Sequence, residues 1–356
     1  PSPQTRREFL AILADRTTGN PLSADLKSEL LPLGQCAALA APLAQKYETP
    51  QAIIKAVRER IESSITHAAA HFPFMKNQGA AQTNHTDLPL HQGPMAQVSD
   101  TPAFAKAVVD HGSMPWLALG NMPTHVAEDI VWKTGEALQG KPFGAGIIGL
   151  DANRYRDEHI EMLGRAAKKF PSMMGLVAAG TAEQALQMEK LGVKSYLHTP
   201  TPGVLRAALA NGQKLLLLEG TEAGGHIGQL GGMLLWQSCI IEIEQGIESM
   251  NLDPSSLTVL PAGGIGDAES SAAVAVMFDP LIRRGVKVGL QMGTSYLMTH
   301  EAVNTGAINS IYQKVGENSP RTVVLGESVG APTRMLPNEA AAQVAQREID
   351  RITNNV

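Results

Sequence analysis

Eight short apolar runs follow one another between residues 88 and 291, and segments with helical spacing of apolar residues lie between them. The runs are 88–92, 116–119, 144–150, 174–178, 193–197, 215–218, 257–260 and 286–291. Strands that alternate with helices at this distance predict βαβ units in a parallel sheet. Because eight such units are the number that closes a ring, the pattern predicts a (β/α)8 barrel, the TIM-barrel fold.

Threonines mark the starts of several helices between these runs. Thr101, Thr181 and Thr201 are of the residue type that caps helix N-termini, and the helices predicted after them cover 103–110, 182–191 and 204–210. A doubly wound open sheet is the alternative architecture. No Gly-x-Gly-x-x-Gly follows the first run, which weighs against a Rossmann fold and favours the barrel.

The chain before the barrel has a different pattern. The Thr49-Pro50 pair predicts the start of a helix whose apolar residues recur at helical spacing over 53–61. Other features of this part are helices predicted within 26–31 and 36–44, breaks at Pro32 and Pro42, and a polar linker over 77–87. We expect this part to cover the bottom or side of the barrel rather than to take part in catalysis.

The repeat of strand and helix stops beyond Gly306, and a closing helix is predicted over 338–349. The expected organisation is therefore a helical N-terminal extension over 1–80, the barrel over 81–310, and a short helical C-terminal tail over 311–356 that packs on the barrel.

Composition narrows the class of protein. The 356 residues carry a net charge of −5 and only 4% aromatic residues, which argues against a nucleic-acid partner. No apolar run is long enough to cross a membrane, and two cysteines, Cys36 and Cys239, cannot form a disulfide framework. We expect a cytoplasmic protein. The start at Pro1, without an initiator Met, is typical of a domain excised from a longer polypeptide.

Glycine-rich segments follow the first, sixth, seventh and eighth runs, where a barrel carries its active site. These segments are Gln92-Gly93-Pro94-Met95, Glu219-Gly-Thr-Glu-Ala-Gly-Gly-His226-Ile-Gly228, Ala262-Gly263-Gly264-Ile265 and Gln291-Met292-Gly293-Thr294. Glycine lets backbone N–H groups approach an anion closely, so Gly263, Gly264, Gly293 and Thr294 form a candidate phosphate cradle. The alternative is that these glycines only form tight turns.

His226 is the candidate general acid or base, since an imidazole changes its protonation near neutral pH. Glu219 and Glu222 are close to it in sequence and are expected to raise its pKa. A metal site built from these residues with His198 and Asp267 has no recognisable ligand spacing, so no metal is predicted. No lysine ends a strand, which argues against a Schiff-base aldolase, and Cys239 is expected in the core.

The four glycine-rich segments, in this order, resemble the FMN-dependent nitronate monooxygenase family, which includes the flavin enoyl-ACP reductase of bacterial fatty acid synthesis. The resemblance extends from residue 88 to residue 338 and includes the tail 333–338 with its Arg and Asn. The stretch 196–200 together with Trp236 is most similar to the version embedded in polyketide or polyunsaturated-lipid synthases.

The resemblance implies FMN as cofactor and assigns roles to individual residues. Those expected to line the isoalloxazine ring or lie near the flavin are Gly93, Pro94, Met95 and Gln291, and those expected to hold the phosphate are Gly224, Gly225, Gly263, Gly264, Gly293 and Thr294. His226 matches the catalytic histidine. The chain departs from the family in the displaced Asn153 and in the loop 229–232, which concerns the electron donor and the substrate pocket.

The leading hypothesis is an FMN-dependent enoyl-thioester reductase that takes electrons from NADH or NADPH and acts on chains held by an acyl carrier protein. Other domains of a synthase are its expected partners. The alternatives are a nitronate monooxygenase that uses His226 as base, a non-catalytic barrel domain of a synthase, and a flavin-free isomerase that binds a sugar phosphate.

Overall fold

The computed structural model describes residues 3–17, 19, 25 and 27–353. The strands are β1 (Leu90–Gln92), β2 (Met114–Gly120), β3 (Phe143–Ile148), β4 (Met173–Ala178), β5 (Ser195–His198), β6 (Leu215–Glu219), β7 (Gly225–His226), β8 (Thr258–Ala262), β9 (Lys287–Val288), β10 (Leu290–Met292), β11 (Val323–Leu325) and β12 (Thr333–Met335). The helices are α1 (Pro3–Arg16), α2 (Ala40–Lys46), α3 (Pro50–Ala70), α4 (Ala80–Asn84), α5 (Pro102–Asp110), α6 (Thr124–Leu138), α7 (Arg156–Lys169), α8 (Ala182–Lys190), α9 (Pro202–Ala210), α10 (Gly232–Ser249), α11 (Ala268–Arg283), α12 (Thr294–Leu297), α13 (His300–Asn304), α14 (Ser310–Glu317) and α15 (Glu339–Thr353).

The eight predicted apolar runs form one closed parallel barrel. Strands β1 to β6 pair in chain order, β6 pairs with β8, and β8 pairs with both β9 and β10. Pairing of β10 with β1 closes the ring, in the register Gln92↔Met292. The eighth barrel strand is interrupted at Gly289, where an added Cβ would lie 2.6 Å from the Cβ of Ala80. The predicted (β/α)8 fold is confirmed.

The predicted helix caps are present. The hydroxyls of Thr101, Thr181 and Thr201 accept hydrogen bonds from the backbone of the following helices α5, α8 and α9. Thr49 caps α3 in the same way. These local signals start each helix at the residue where the sequence predicts it.

Large apolar side chains fill the barrel interior. The cluster includes Trp116, Tyr196, Leu217 and Leu260 from four different strands. Side chains on a strand alternate between its two faces, so residues two positions further along each strand also face inward. This packing forms a solid core below the carboxyl ends of the strands.

The helix α4 plugs the barrel from below, where the sequence predicted a linker over 77–87. Ala80, Ala81 and Asn84 are buried, and the Thr83 hydroxyl lies 2.7 Å from that of Thr258 at the start of β8. The prediction of a linker was wrong because the small residues of this segment pack into the barrel instead of facing water. Its polar composition is used inside the core.

A buried hydrogen-bonded network joins this plug to the barrel. The amide of Asn84 contacts His91 Nε2 at 2.7 Å and the Tyr196 hydroxyl at 2.9 Å, while Trp116 Nε1 donates to His91 Nδ1 at 3.0 Å. Burial lowers the pKa of His91 to about 3, so its ring is neutral. Since Nδ1 accepts, the ring proton is on Nε2, and the amide oxygen of Asn84 must face it.

The N-terminal extension lies along one side of the barrel. The imidazole of His67 on α3 pairs with the buried carboxylate of Asp279 on α11, which also accepts from Arg283 Nε at 2.7 Å. The predicted helices within 36–44 are present, but Pro42 lies inside the first turn of α2 and does not break it. Part of the helix predicted within 26–31 lies outside the described residues.

The C-terminal segment adds a small second sheet. Strands β11 and β12 pair antiparallel, and β12 also pairs with β7, in the order β11-β12-β7. No helix within the described residues is both long and apolar enough to traverse a lipid bilayer.

Candidate active site at the barrel mouth

The carboxyl ends of the barrel strands form a mouth whose inward-facing layer combines small and polar residues. By the alternation along each strand, this layer consists of Gly93, Gly146, Ala178, His198, Glu219, Ala262 and Gln291. The small residues leave room above the apolar core. The polar residues point their side chains into that room.

The predicted phosphate glycines lie on neighbouring strand ends. Gly263 and Gly264 follow β8 with φ of +89° and +73°, a conformation that L side chains rarely adopt. Among the residues that the structure describes, the N–H groups of these two glycines donate to no acceptor. Ser295 Oγ donates to Gly266 O at 2.9 Å and joins the loops after β8 and β10, so Gly293 and Thr294 belong to the same rim.

The residues expected to line the flavin ring also meet at this rim. A Cβ added at Gly93 would lie 3.1 Å from the Gln291 side chain, and one added at Gly293 would lie 3.7 Å from Met95 Sδ. Pro94 lies against Gly146 on β3. The Oε1 atom of Gln291 is buried and has no hydrogen-bond partner among the described residues.

His226 lies on an exposed rim strand rather than inside the barrel. The backbone of β7 pairs with β12, with His226 opposite Thr333, and Ile227 N donates to Pro332 O at 3.0 Å. Gly224 and Gly225 are exposed with it. Ala223, next in the chain, brings its N atom within 3.3 Å of a Cβ built at Gly263, so this loop adjoins the phosphate glycines.

An arginine from the C-terminal segment holds this loop. Arg334 donates through Nε and Nη2 to the carbonyl of Thr221, at 2.9 and 2.7 Å, and through Nη1 to the Thr322 hydroxyl at 2.7 Å. The sequence analysis missed this function of Arg334. The only signal for it was the similarity of the tail to the family.

The acidic residues close to His226 in sequence have other partners. Both Glu222 oxygens accept from Gly232 N, at 3.0 and 2.8 Å, at the start of α10. Asp267 caps α11 through Ser270. The interpretation of Glu222 as a neighbour that raises the pKa of His226 is therefore replaced by a structural function.

Glu219 instead pairs with a histidine from the adjacent strand. Its Oε2 lies 3.9 Å from Nε2 of His198, and both side chains are almost buried. Burial raises the pKa of the Glu219 carboxyl to about 8 and lowers that of His198 to about 4. Near neutral pH both groups are therefore uncharged. Sequence reasoning noted each residue separately and did not bring them together.

The family model for nitronate monooxygenase matches residues 79–356. The chain belongs to the nitronate monooxygenase family. It is 24% identical over 309 residues to a probable nitronate monooxygenase of Staphylococcus haemolyticus, a match that covers 76% of this chain and 81% of that protein. It is thus a flavin-dependent oxidoreductase, and the family suggested by the four segments is confirmed.

Solved structures share the fold of this family member. FabK from Thermotoga maritima superposes with a TM-score of 0.63 at 22% identity, over 77% of this chain and 79% of FabK. The enoyl reductase domain of MlnA, from the macrolactin biosynthesis cluster of Bacillus amyloliquefaciens, gives a TM-score of 0.58 at 14% identity, over 74% and 66%.

The rim fits the flavin of the nitronate monooxygenase family. A planar ring needs a flat floor without side chains, and Gly93, Gly146 and Ala262 supply one. The buried, unpartnered Oε1 of Gln291 can accept from a ring N–H, and the unused N–H groups of Gly263 and Gly264 can donate to a phosphate. These residues lie in one connected arc of the barrel.

The displaced Asn of the third strand has a structural function in this family member. Asn153 is buried, donates to the carbonyl of Ile148 at 2.8 Å and accepts from Tyr155 N at 3.1 Å. It closes the turn after β3 and does not face the mouth through its amide. The departure from the family pattern therefore concerns the loop after β3.

Proposed function

We propose that this chain is an FMN-dependent reductase of enoyl thioesters whose acyl chain is carried by an acyl carrier protein, with NADH or NADPH as electron donor. The observation that carries the proposal is the open position of His226 and of Gly224 and Gly225 on the rim. A substrate tethered to a large carrier must reach the mouth from outside, and an exposed loop allows this. The name of the MlnA domain, an enoyl reductase, supports the same substrate class.

The residues of the chain would bind the cofactor as follows. The N–H groups of Gly263 and Gly264, with Gly293 and Thr294 on the next loop, would hold the phosphate, helped by Gly224 and Gly225. Gly93, Pro94 and Met95 would flank the ring, with Gln291 below it. When bound, reduced FMN supplies the hydride for the double bond.

His226 would supply the proton that completes the reduction. Its imidazole makes no hydrogen bond to the described residues and can turn towards the carbon next to the thioester carbonyl. Arg334 would keep the loop in place through the Thr221 carbonyl. The apolar core below the mouth would exclude water from the reacting carbons.

The test is the visible absorption spectrum of the purified protein, followed by anaerobic addition of NADH or NADPH and then of a crotonyl thioester. We expect a flavin spectrum, release of FMN on denaturation, bleaching by a nicotinamide, and recovery of the oxidised spectrum with the thioester. Absence of bleaching together with oxygen-dependent consumption of a nitronate would favour the monooxygenase, the activity that the name of the Staphylococcus relative indicates.

A protein that is colourless and takes up no added FMN would contradict both activities. It would favour the non-catalytic barrel domain of a synthase. The partnership with other synthase domains is then tested separately, by measuring binding of an acyl carrier protein to the full chain.

A further inference from the structure

Two inward-facing titratable side chains of the mouth have no part in the proposed reaction as described above. His198 ends β5 and Glu219 ends the adjacent strand β6, with 3.9 Å between Nε2 and Oε2. Their side chains are only 9% and 18% exposed. Nε2 of His198 has no hydrogen-bond partner among the described residues, and the carboxyl of Glu219 makes no hydrogen bond there.

We propose that Glu219 is a second catalytic residue, a neutral carboxylic acid that donates a hydrogen bond to the thioester carbonyl oxygen of the substrate, and that His198 positions it. The inference rests on the proposed function, because it assigns a group to the carbonyl of that substrate. It adds a residue that stabilises charge to the one, His226, that supplies a proton.

The physical reason is where charge develops. When a hydride adds to the far carbon of the double bond, electrons move onto the thioester oxygen, and a donor aimed at that oxygen lowers the barrier. An ionised carboxylate has no hydrogen to donate and would repel this charge. A carboxyl kept protonated by its buried setting can do so at neutral pH, because its pKa is about 8.

His198 is suited to orient this acid. With a pKa lowered to about 4, its ring is neutral and carries one N–H. Placed on Nε2, that N–H faces Oε2 of Glu219 at slightly more than hydrogen-bond distance, and so leaves the carboxyl O–H to point into the mouth.

The charged groups around the pair do not compensate it. On its own loop, the Glu222 carboxylate is bound to Gly232 N, and Arg334 is bound to the Thr221 carbonyl. Strand β8, on the other side of β6, contributes no titratable side chain. One layer below His198, the buried Tyr196 hydroxyl is engaged by Asn84. Hence Glu219 faces only the neutral imidazole.

The test compares pH profiles of the FMN-loaded enzyme with a crotonyl thioester. In the wild type, we expect kcat to fall as pH rises through about 8, where Glu219 loses its proton. Glu219→Gln keeps an N–H donor at every pH, so it should retain kcat within about tenfold and lose this alkaline limb. Glu219→Leu has no donor, and its kcat should fall by about 10²–10³-fold with little change in KM.

Two further variants separate positioning from bulk effects. His198→Leu should lower kcat by about tenfold and keep the alkaline limb, because the acid remains. Glu189 also has a pKa raised by burial, but it lies on α8 away from the mouth, so Glu189→Gln should leave kcat and its pH profile unchanged.

Infrared difference spectra give a readout that does not depend on turnover. The wild-type chain should show the carbonyl band of a protonated carboxyl at pH 7 that disappears as pH rises through about 8 and is absent in Glu219→Gln. An alkaline limb that survives in Glu219→Gln, or a band that this variant retains, would overturn the inference. A wild-type enzyme without any enoyl-thioester turnover would instead overturn the proposed function.

Discussion

Thr333, from the C-terminal segment, is the antiparallel backbone partner of His226, from the loop after β6. More than a hundred residues of chain separate the two, yet the strand that carries the candidate catalytic histidine exists only through this pairing. The segment beyond the barrel therefore contributes to the rim of the site. Arg334 reinforces the contact through the Thr221 carbonyl.

Replacing Arg334 should impair the reaction without loss of cofactor. We expect Arg334→Gln to lower kcat about 10- to 100-fold, since small displacements of a catalytic group are costly, and to leave FMN content unchanged. Arg347 lies exposed on α15 and provides the control, Arg347→Gln, for which activity should equal that of the wild type. Equal kcat values for the two variants would contradict the positioning role.

His226→Ala should retain bound flavin and lower turnover about 10²–10⁴-fold, because a general acid or base contributes a factor of that size. The matched control is His125→Ala, an exposed histidine on α6. Stopped-flow measurement of reoxidation by the thioester separates the proton step from reduction by the nicotinamide. An unchanged reoxidation rate would remove the role of His226.

Gly264→Ala should weaken FMN binding at least tenfold. A Cβ at this positive φ costs roughly 1 kcal/mol, and the methyl group would stand where the N–H must approach the phosphate. Gly285 also has a positive φ, +95°, but lies after α11, so Gly285→Ala should show the same loss of stability with wild-type affinity. Fluorescence titration with FMN distinguishes the two effects.

The stability of the chain should depend on pH through Glu219. Its pKa is 4.5 in the unfolded chain and about 8 when folded, so the unfolded state loses its proton first as pH rises. The free energy of unfolding should therefore fall between about pH 4.5 and 8, by at most about 1.4 kcal/mol per pH unit from this group. Urea unfolding of Glu219→Gln should show a correspondingly flatter profile over this window. A slope identical to the wild type would place the titration elsewhere.

Asp279→Asn should loosen the N-terminal extension from the barrel. The buried carboxylate joins His67 on α3 and Arg283 on α11, and the amide cannot serve both as charged acceptor. We expect limited proteolysis within residues 3–70 to become about tenfold faster while the barrel stays intact. Lys55→Gln, which removes an exposed pair with Glu59, is the control and should change little.

The barrel itself was predictable because each strand and helix carries its own local signal. Buried strands are short apolar runs, and threonine caps mark helix starts, so neither needs knowledge of distant residues. The interruption at Gly289 was not predictable, because it reflects contact with Ala80 in a segment that looks like a linker. Burial of that segment is decided by packing, which composition does not reveal.

The same distinction holds at the site. The glycine-rich segments were found because strand ends share one rim, so sequence position alone brings Gly93, Gly263 and Gly293 together. The pair of His198 and Glu219 depends on two side chains from different strands facing the same interior at the same height. Arg334 depends on a turn-rich segment folding back over the rim, for which no periodicity gives a signal.

The interruption at Gly289 also bears on how the chain is made. Ring closure needs β10, which leaves the ribosome long after β1. Until then β1 and β8 are sheet edges with unpaired backbone groups, the feature that invites aggregation and contact with chaperones. A nascent chain stalled before residue 290 should thus be an open sheet, and the flavin site, which spans the seam between β10 and β1, would be assembled only when synthesis is nearly complete.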